Sequence, residues 1–227
     1  NVFGPASAAN MKLLYLFLSL LFGIISSSVT EKATGITFLD QIKLPGSSTA
    51  TLVGTGVRSK KLGPAAVKVY AVGIYVDRVK ALRELAKYSK LSQKEIALKK
   101  DFCEDAMSSS FEKIFVLKMA RKVGAEKMVS ALAESVRPRM GGQGLDALTS
   151  FETILLQAVS KEGAANKGMQ FGFVCSKDGL CVSVDGKQAG TINSETLRKA
   201  MIDVYLGKDA VSPSAKAAFA EGMSKMF

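Results

Sequence analysis

From Ile36 onward the apolar positions first recur at a period of two and later at a period near 3.6. This order predicts strands first and helices after them. Residues 35–45 (GITFLDQIKLP) and 48–58 (STATLVGTGVR) mix apolar and β-branched residues and run into turn residues, as strands do. Residues 65–77 (AAVKVYAVGIYVD) continue the alternation, with Val67, Val69 and Ala71 on one face and Lys68, Tyr70 and Val72 on the other. Tyr70 is therefore expected to point away from Val69. Residues 79–100 place Leu82, Leu85 and Ala86 at helical spacing, with a second short periodic piece around Ile96, which predicts a pair of helices covering a sheet. Residues 108–123 revert to a strand, with Phe111, Lys113, Phe115 and Leu117 on one side and Ile114 and Val116 on the other.

After Gly124 the period lengthens. Met128, Leu132 and Ser135, with Val129, Ala133 and Val136, form one helical face that Pro138 closes. A glycine-rich loop at 139–144 leads to a second helix over 145–159, whose apolar stripe is Leu148, Phe151, Leu155 and Leu156. Residues 169–192 form a hairpin and a third strand, punctuated by Asp178-Gly179 and Asp185-Gly186. A helix capped by Ser194 and ended at Gly207 follows, and a last short helix begins at Pro213. The expected fold is α+β: an antiparallel sheet with helices stacked on one face.

Residues 1–30 are expected to lie outside this domain, which takes up 31–227. Met11 opens a secretory pattern of Lys12, an apolar run from Leu13 to Ile25, and small residues Ser26–Ser28. The run is shorter than the roughly 20 residues that span a bilayer. A cleavable signal preceded by upstream residues 1–10 is therefore expected, and no stable membrane span in the mature chain. The signal implies entry to the secretory pathway, ending outside the cell, in an endomembrane lumen, or in a plastid where the source has secondary plastids.

Composition narrows the chemistry. The chain has 227 residues and a net charge of +11, and Lys12 alone of the charged residues precedes Glu31. The balance favours anionic partners, yet no basic block reaches the length of an interaction tail and no RNA-binding signature appears, so nucleic acid is not an expected partner. Histidine is absent. That excludes a histidine general base, serine or cysteine triads that need one, and the usual zinc sites. No cofactor or metal is expected. Cys103, Cys175 and Cys181 lack metal spacing. A three-residue loop would allow a Cys175–Cys181 bridge, whereas a two-residue loop would set them on opposite faces as free thiols.

Two glycine pairs invite a phosphate reading. Gly54 and Gly56 lead into a strand instead of a helix, and the loop before residue 145 lacks the Lys-Ser/Thr of a P-loop. Arg58 follows the first pair with few acids nearby in sequence. It is either a surface charge at a strand end or an inward cation whose partner comes from a ligand, for which a planar guanidinium suits a carboxylate. Tyr70 is placed to add a second donor to the same anion.

Residues 52–77 (LVGTGVRSKKLGPAAVKVYAVGIYVD), 108–119 (SSSFEKIFVLKM) and 205–223 (YLGKDAVSPSAKAAFAEGM) resemble, in order, three blocks of the chalcone isomerase family. The resemblance implies an open-faced β-sandwich in which a large antiparallel sheet is covered by helices, with a ligand cleft between. It also implies that Arg58 meets the ligand's anion, a phenolate in the isomerases and a fatty-acid carboxylate in the non-catalytic binders. Tyr70 stands where the enzymes carry threonine and the binders tyrosine. Residues 137–152 contain neither the tyrosine nor the asparagine of the enzymes, and Val204 replaces their late threonine or serine. The resemblance thus points to a binder of a fatty acid or similar amphipathic carboxylate. Val69, Phe115, Leu132, Phe151 and Leu155 are expected to line its slot. The alternatives are an intramolecular lyase that cyclises a chalcone, which Tyr75, Thr149 or Thr153 facing Arg58 would favour, and a scaffold that keeps the fold without a ligand.

Overall fold

A computed structural model describes residues 27–227. Of the expected signal segment 1–30, residues up to Ser26 lie outside the described residues, whereas residues 28–30 form a strand paired with the domain. Strand β1 (Ser28–Thr30) pairs antiparallel with β2 (Thr37–Leu39). The main sheet is built from β3 (Gln41–Ile42), β4 (Ala50–Leu62), β5 (Ala65–Val76), β6 (Lys113–Met119), β9 (Gln170–Ser176), β10 (Gly179–Val184) and β11 (Lys187–Ile192). Its seven strands run antiparallel in the order β11-β10-β9-β6-β5-β4-β3. A separate small pair joins β7 (Val123–Gly124) to β8 (Ala164–Ala165).

The helices are α1 (Arg78–Glu84), α2 (Gln93–Leu98), α3 (Lys100–Ser108), α4 (Ala125–Val136), α5 (Leu145–Ser160), α6 (Glu195–Leu206) and α7 (Pro213–Ser224). They bury one face of the sheet, where Tyr70, Val72, Ile74, Phe115, Leu117, Phe171 and Phe173 join the large core. The opposite face carries Ala71, Tyr75, Ile114, Val116 and Val174, which pack with Phe38 and the segment around Ile36, Ile42 and Leu44. The expected α+β architecture is present, and the N-terminal segment adds a cover over the second face.

Helix α3 extends the pair of helices expected before β6. Its Phe102 and Ala106, four residues apart and both buried, form a helical stripe inside the polar run DFCEDAMS. Leu156 departs from its expected place, being 38% exposed at the edge of the α5 stripe. Only Lys177 and Asp178 separate the paired Ser176 and Gly179, so the β9–β10 loop has two residues. Cys175 consequently enters the large core and Cys181 the smaller one, and the three cysteines are free thiols.

The glycines of VGTG serve close packing of α7 across β4. A Cβ at Gly54 would lie 2.6 Å from the Phe219 amide nitrogen, and one at Gly56 only 2.3 Å from that of Ala215. No side chain fits there, which accounts for the glycine spacing without a phosphate. The N-cap of α7 also grips the same strand. Ser212 Oγ donates to the Val57 carbonyl at 2.8 Å, and the Val57 amide donates to Ser214 Oγ at 3.2 Å. The residue next in line is Arg58.

Candidate functional site

Arg58 on β4 and Tyr70 on β5 are direct cross-strand partners. Past this pair the register slips: Ser59 faces Lys68, and Val69 is an extra residue. This β-bulge breaks the simple alternation expected for β5. Val67, Val69 and Tyr70 consequently line one cavity together with Arg58, so the expectation that Tyr70 points away from Val69 is corrected. The cavity holds about 430 Å³ and is closed on its other side by Val123, Gly124, Met128 and Ala131 from β7 and α4.

At its floor, Arg58 Nη1 donates to Tyr70 Oη at 3.2 Å, and Tyr70 Oη lies 3.2 Å from Tyr205 Oη. The guanidinium carbon sits 5.7 Å from the centroid of the Tyr70 ring. Both phenols are buried, while Arg58 is half-buried. Burial opposes the guanidinium charge, but the oxygens of Tyr70 and Tyr205 and the Glu134 carboxylate outweigh it and hold the pKa above its ordinary value. Burial, reinforced by Tyr70, pushes the Tyr205 phenol well up, so Tyr205 is neutral at physiological pH. Tyr70 Oη thus stands between the Arg58 guanidinium and Tyr205 Oη, at the edge of the open volume. Apart from the bond to Tyr70, the Arg58 side chain donates to no protein acceptor among the described residues.

Tyr205 is the site residue that sequence reasoning missed. It comes from α6, whose buried stripe of Leu197, Met201 and Tyr205 has a spacing of four. Its ring stacks on Phe115 at 4.7 Å between centroids. A tyrosine at the end of an apolar stripe signals a hydroxyl in need of a buried partner, but only the fold says which one.

The slot expected from sequence forms only in part. Val69 lines the cavity, whereas Phe115, Leu132, Phe151 and Leu155 are buried core residues beneath it. Space there is already filled by the stacked Phe115–Tyr205 pair and by Phe151 against Phe173, so the open volume lies further out along β5 and α4. Tyr75 projects to the other face of the sheet and donates to the Leu39 carbonyl. Thr149 and Thr153 bond carbonyls of their own helix. Val204 is buried beside Tyr205. None of these four lines the cavity that Arg58 faces. Among the described residues, no group of three or more cysteines and acids is placed to hold a metal.

The rim of the cavity is basic. Lys60, Arg121, Lys122 and Lys127 are exposed around it, and among the described residues Glu134 is the one carboxylate in its lining. None of these cations lies within 4 Å of a carboxylate among the described residues.

The model of the chalcone–flavanone isomerase family matches residues 33–226. Fatty-acid-binding protein 1 of Arabidopsis thaliana is 26% identical over 89% of this chain and 73% of its own length. Chalcone–flavanone isomerase 2-A of Glycine max is 28% identical over 88% and 92%. The crystal structure of an A. thaliana fatty-acid binding protein superposes with a TM-score of 0.77 at 25% identity, covering 88% of this chain and 98% of that one.

Proposed function

Because this chain belongs to the chalcone–flavanone isomerase family, we propose that it works as one of the family's non-catalytic members and binds a fatty acid or similar amphipathic carboxylate. The observation that carries the reading is the Arg58–Tyr70–Tyr205 chain at the floor of a largely apolar cavity. A half-buried guanidinium with one donor engaged among the described residues and a phenol beside it converge on the same space, which matches the two oxygens of one carboxylate. Desolvating such an ion pair is tolerable only when it is well hydrogen-bonded, and the second phenol behind Tyr70 holds the donor in place. The alkyl tail would run along Val67, Val69, Val123 and Met128 toward the mouth, since the core below is packed.

Cyclisation of a chalcone asks for more: polar groups that position a ketone or water against the developing charge. Tyr75, Thr149 and Thr153, whose approach to Arg58 would have favoured cyclisation, have their hydroxyls bonded elsewhere. The fatty-acid-binding relative, matched both in sequence and in structure, supports the same reading.

The test is mass spectrometry of small molecules that co-purify with the protein. A fatty acid retained by the wild type and lost from folded Arg58→Ala is expected. Equal retention by both proteins would refute the clamp.

A further inference from the structure

The hairpin that carries Arg58 and Tyr70 reaches beyond the sheet. Strand β6 pairs with β5 only from Tyr70 to Val76, so among the described residues no third strand lies beside residues 59–68 of the hairpin. Lys60, Lys61, Ala65 and Ala66 are exposed on this overhang, with Val67 half-buried at the cavity edge. The turn after β6 brings exposed Arg121 and Lys122 to the same opening, and the first turn of α4 adds Lys127. Glu126 in that turn lies outside the cavity lining.

A single carboxylate at Arg58 needs one cation. Four further cations, drawn from three elements around one mouth, have no carboxylate within 4 Å among the described residues and sum to a positive field at the opening. Their arrangement matches a broad anionic surface better than a small anion: they surround the opening instead of converging on a point. Three of the four are lysines, whose ammonium groups act as point charges on flexible stems without the fixed fork of arginine. Small apolar residues lie among them, as suits a headgroup layer in which lysines reach phosphate while their stems stay in less polar surroundings.

We propose that this mouth docks on an anionic bilayer, with the hairpin overhang and the Arg121–Lys122 turn against the headgroups. A lipid ligand would then pass between bilayer and cavity without crossing bulk water. The meaning of the docking rests on the fatty-acid reading above, but the docking can be measured without it.

The experiment is sedimentation of the full chain with phosphatidylcholine vesicles and with vesicles containing about 30 mol % phosphatidylserine, for wild type and Lys60→Glu/Arg121→Glu/Lys122→Glu. The apolar run Leu13–Ile25 is common to every arm, so the difference between the two vesicle types is the readout. Wild type should prefer the anionic vesicles. The triple variant, checked as folded by its melting temperature, should lose that preference at roughly fivefold per cation. Raising salt from about 0.1 M to about 0.5 M should abolish the wild-type preference as well, which tests the proposal should the variant not fold. Equal binding to both vesicle types, a preference that survives the triple reversal, or one that survives high salt would overturn it. Arg58→Ala separates the two readings. Docking kept while fatty acid is lost supports both, whereas wild type that docks without ever binding fatty acid overturns only the ligand reading.

Discussion

Two basic side chains lie on the helix-covered side of the same sheet, and their surroundings differ in kind. Arg58 faces a cavity, bonds a phenol, and has N–H groups left over. Lys113, on β6, is fully buried and sealed. Its Nζ donates to the carbonyls of Ser109 at 2.7 Å and Phe111 at 3.2 Å, and it sits 3.9 Å from the centroid of the Phe111 ring. Burial holds the Lys113 pKa down at about 8, while nearby Cys175, itself pushed up to about 12 by burial, sits in the same core as a neutral thiol. A buried cation alone therefore does not mark a site. What marks one is a cation that the protein leaves partly unsatisfied beside open space.

Substitutions at the two ends should separate these roles. The largest effect is expected at Gly56, where alanine would press its Cβ into the backbone of α7 at Ala215. Gly56→Ala should lower stability by about 3 kcal/mol in urea unfolding and weaken ligand binding, because α7 anchors Val57 beside the site. At the sealed end the sign reverses. Lys113→Met keeps volume and removes a desolvated charge, and should raise stability by about 1–3 kcal/mol without altering ligand affinity.

The pH dependence of that gain follows from linkage. With a folded pKa of about 8 against an ordinary 10.5, the unfolded chain holds more protons on Lys113 between those values. Wild-type stability should therefore rise with pH across that window relative to Lys113→Met, and the advantage of the variant should be full below pH 8. The raised phenol pKa values of Tyr75 and Tyr205 pull the other way above about pH 10, since there the folded chain keeps protons that the unfolded chain sheds. The difference between the two proteins removes that shared contribution, and parallel curves would contradict the account of Lys113.

The smallest of these effects is expected at Tyr205→Phe. It keeps the stacking on Phe115 and deletes one hydrogen bond, so stability should fall by about 1 kcal/mol. Ligand affinity should drop only a few-fold, because Tyr70 remains but is held less firmly. A loss as large as that of Arg58→Ala would make Tyr205 a direct ligand contact.

The order of strands and helices was legible because periods of two and 3.6 survive in one sequence, and Arg58 and Tyr70 stood out by residue type and by the family blocks around them. The Val69 bulge was not legible. One extra residue reverses which side chains share a face, and its position depends on cross-strand register. Tyr205 lies 135 residues from Tyr70 and is joined to it only by the packing of α6 on the sheet. The slot was misplaced for the same reason. Phe115, Leu132, Phe151 and Leu155 have the apolarity of a pocket lining, but residue type does not tell a filled core from an open cavity. The basic rim was invisible as a cluster, since its members are spread from Lys60 to Lys127 and come together only in the fold.

The most direct test of the clamp compares a long-chain fatty acid with its methyl ester by titration calorimetry, on wild type and on Arg58→Ala. A guanidinium that holds a carboxylate should favour the acid by about 10- to 100-fold in wild type, the worth of a charged hydrogen bond, and Arg58→Ala should bind acid and ester alike. If the acid keeps its advantage without Arg58, or never has one, the carboxylate does not sit where the fold puts the arginine.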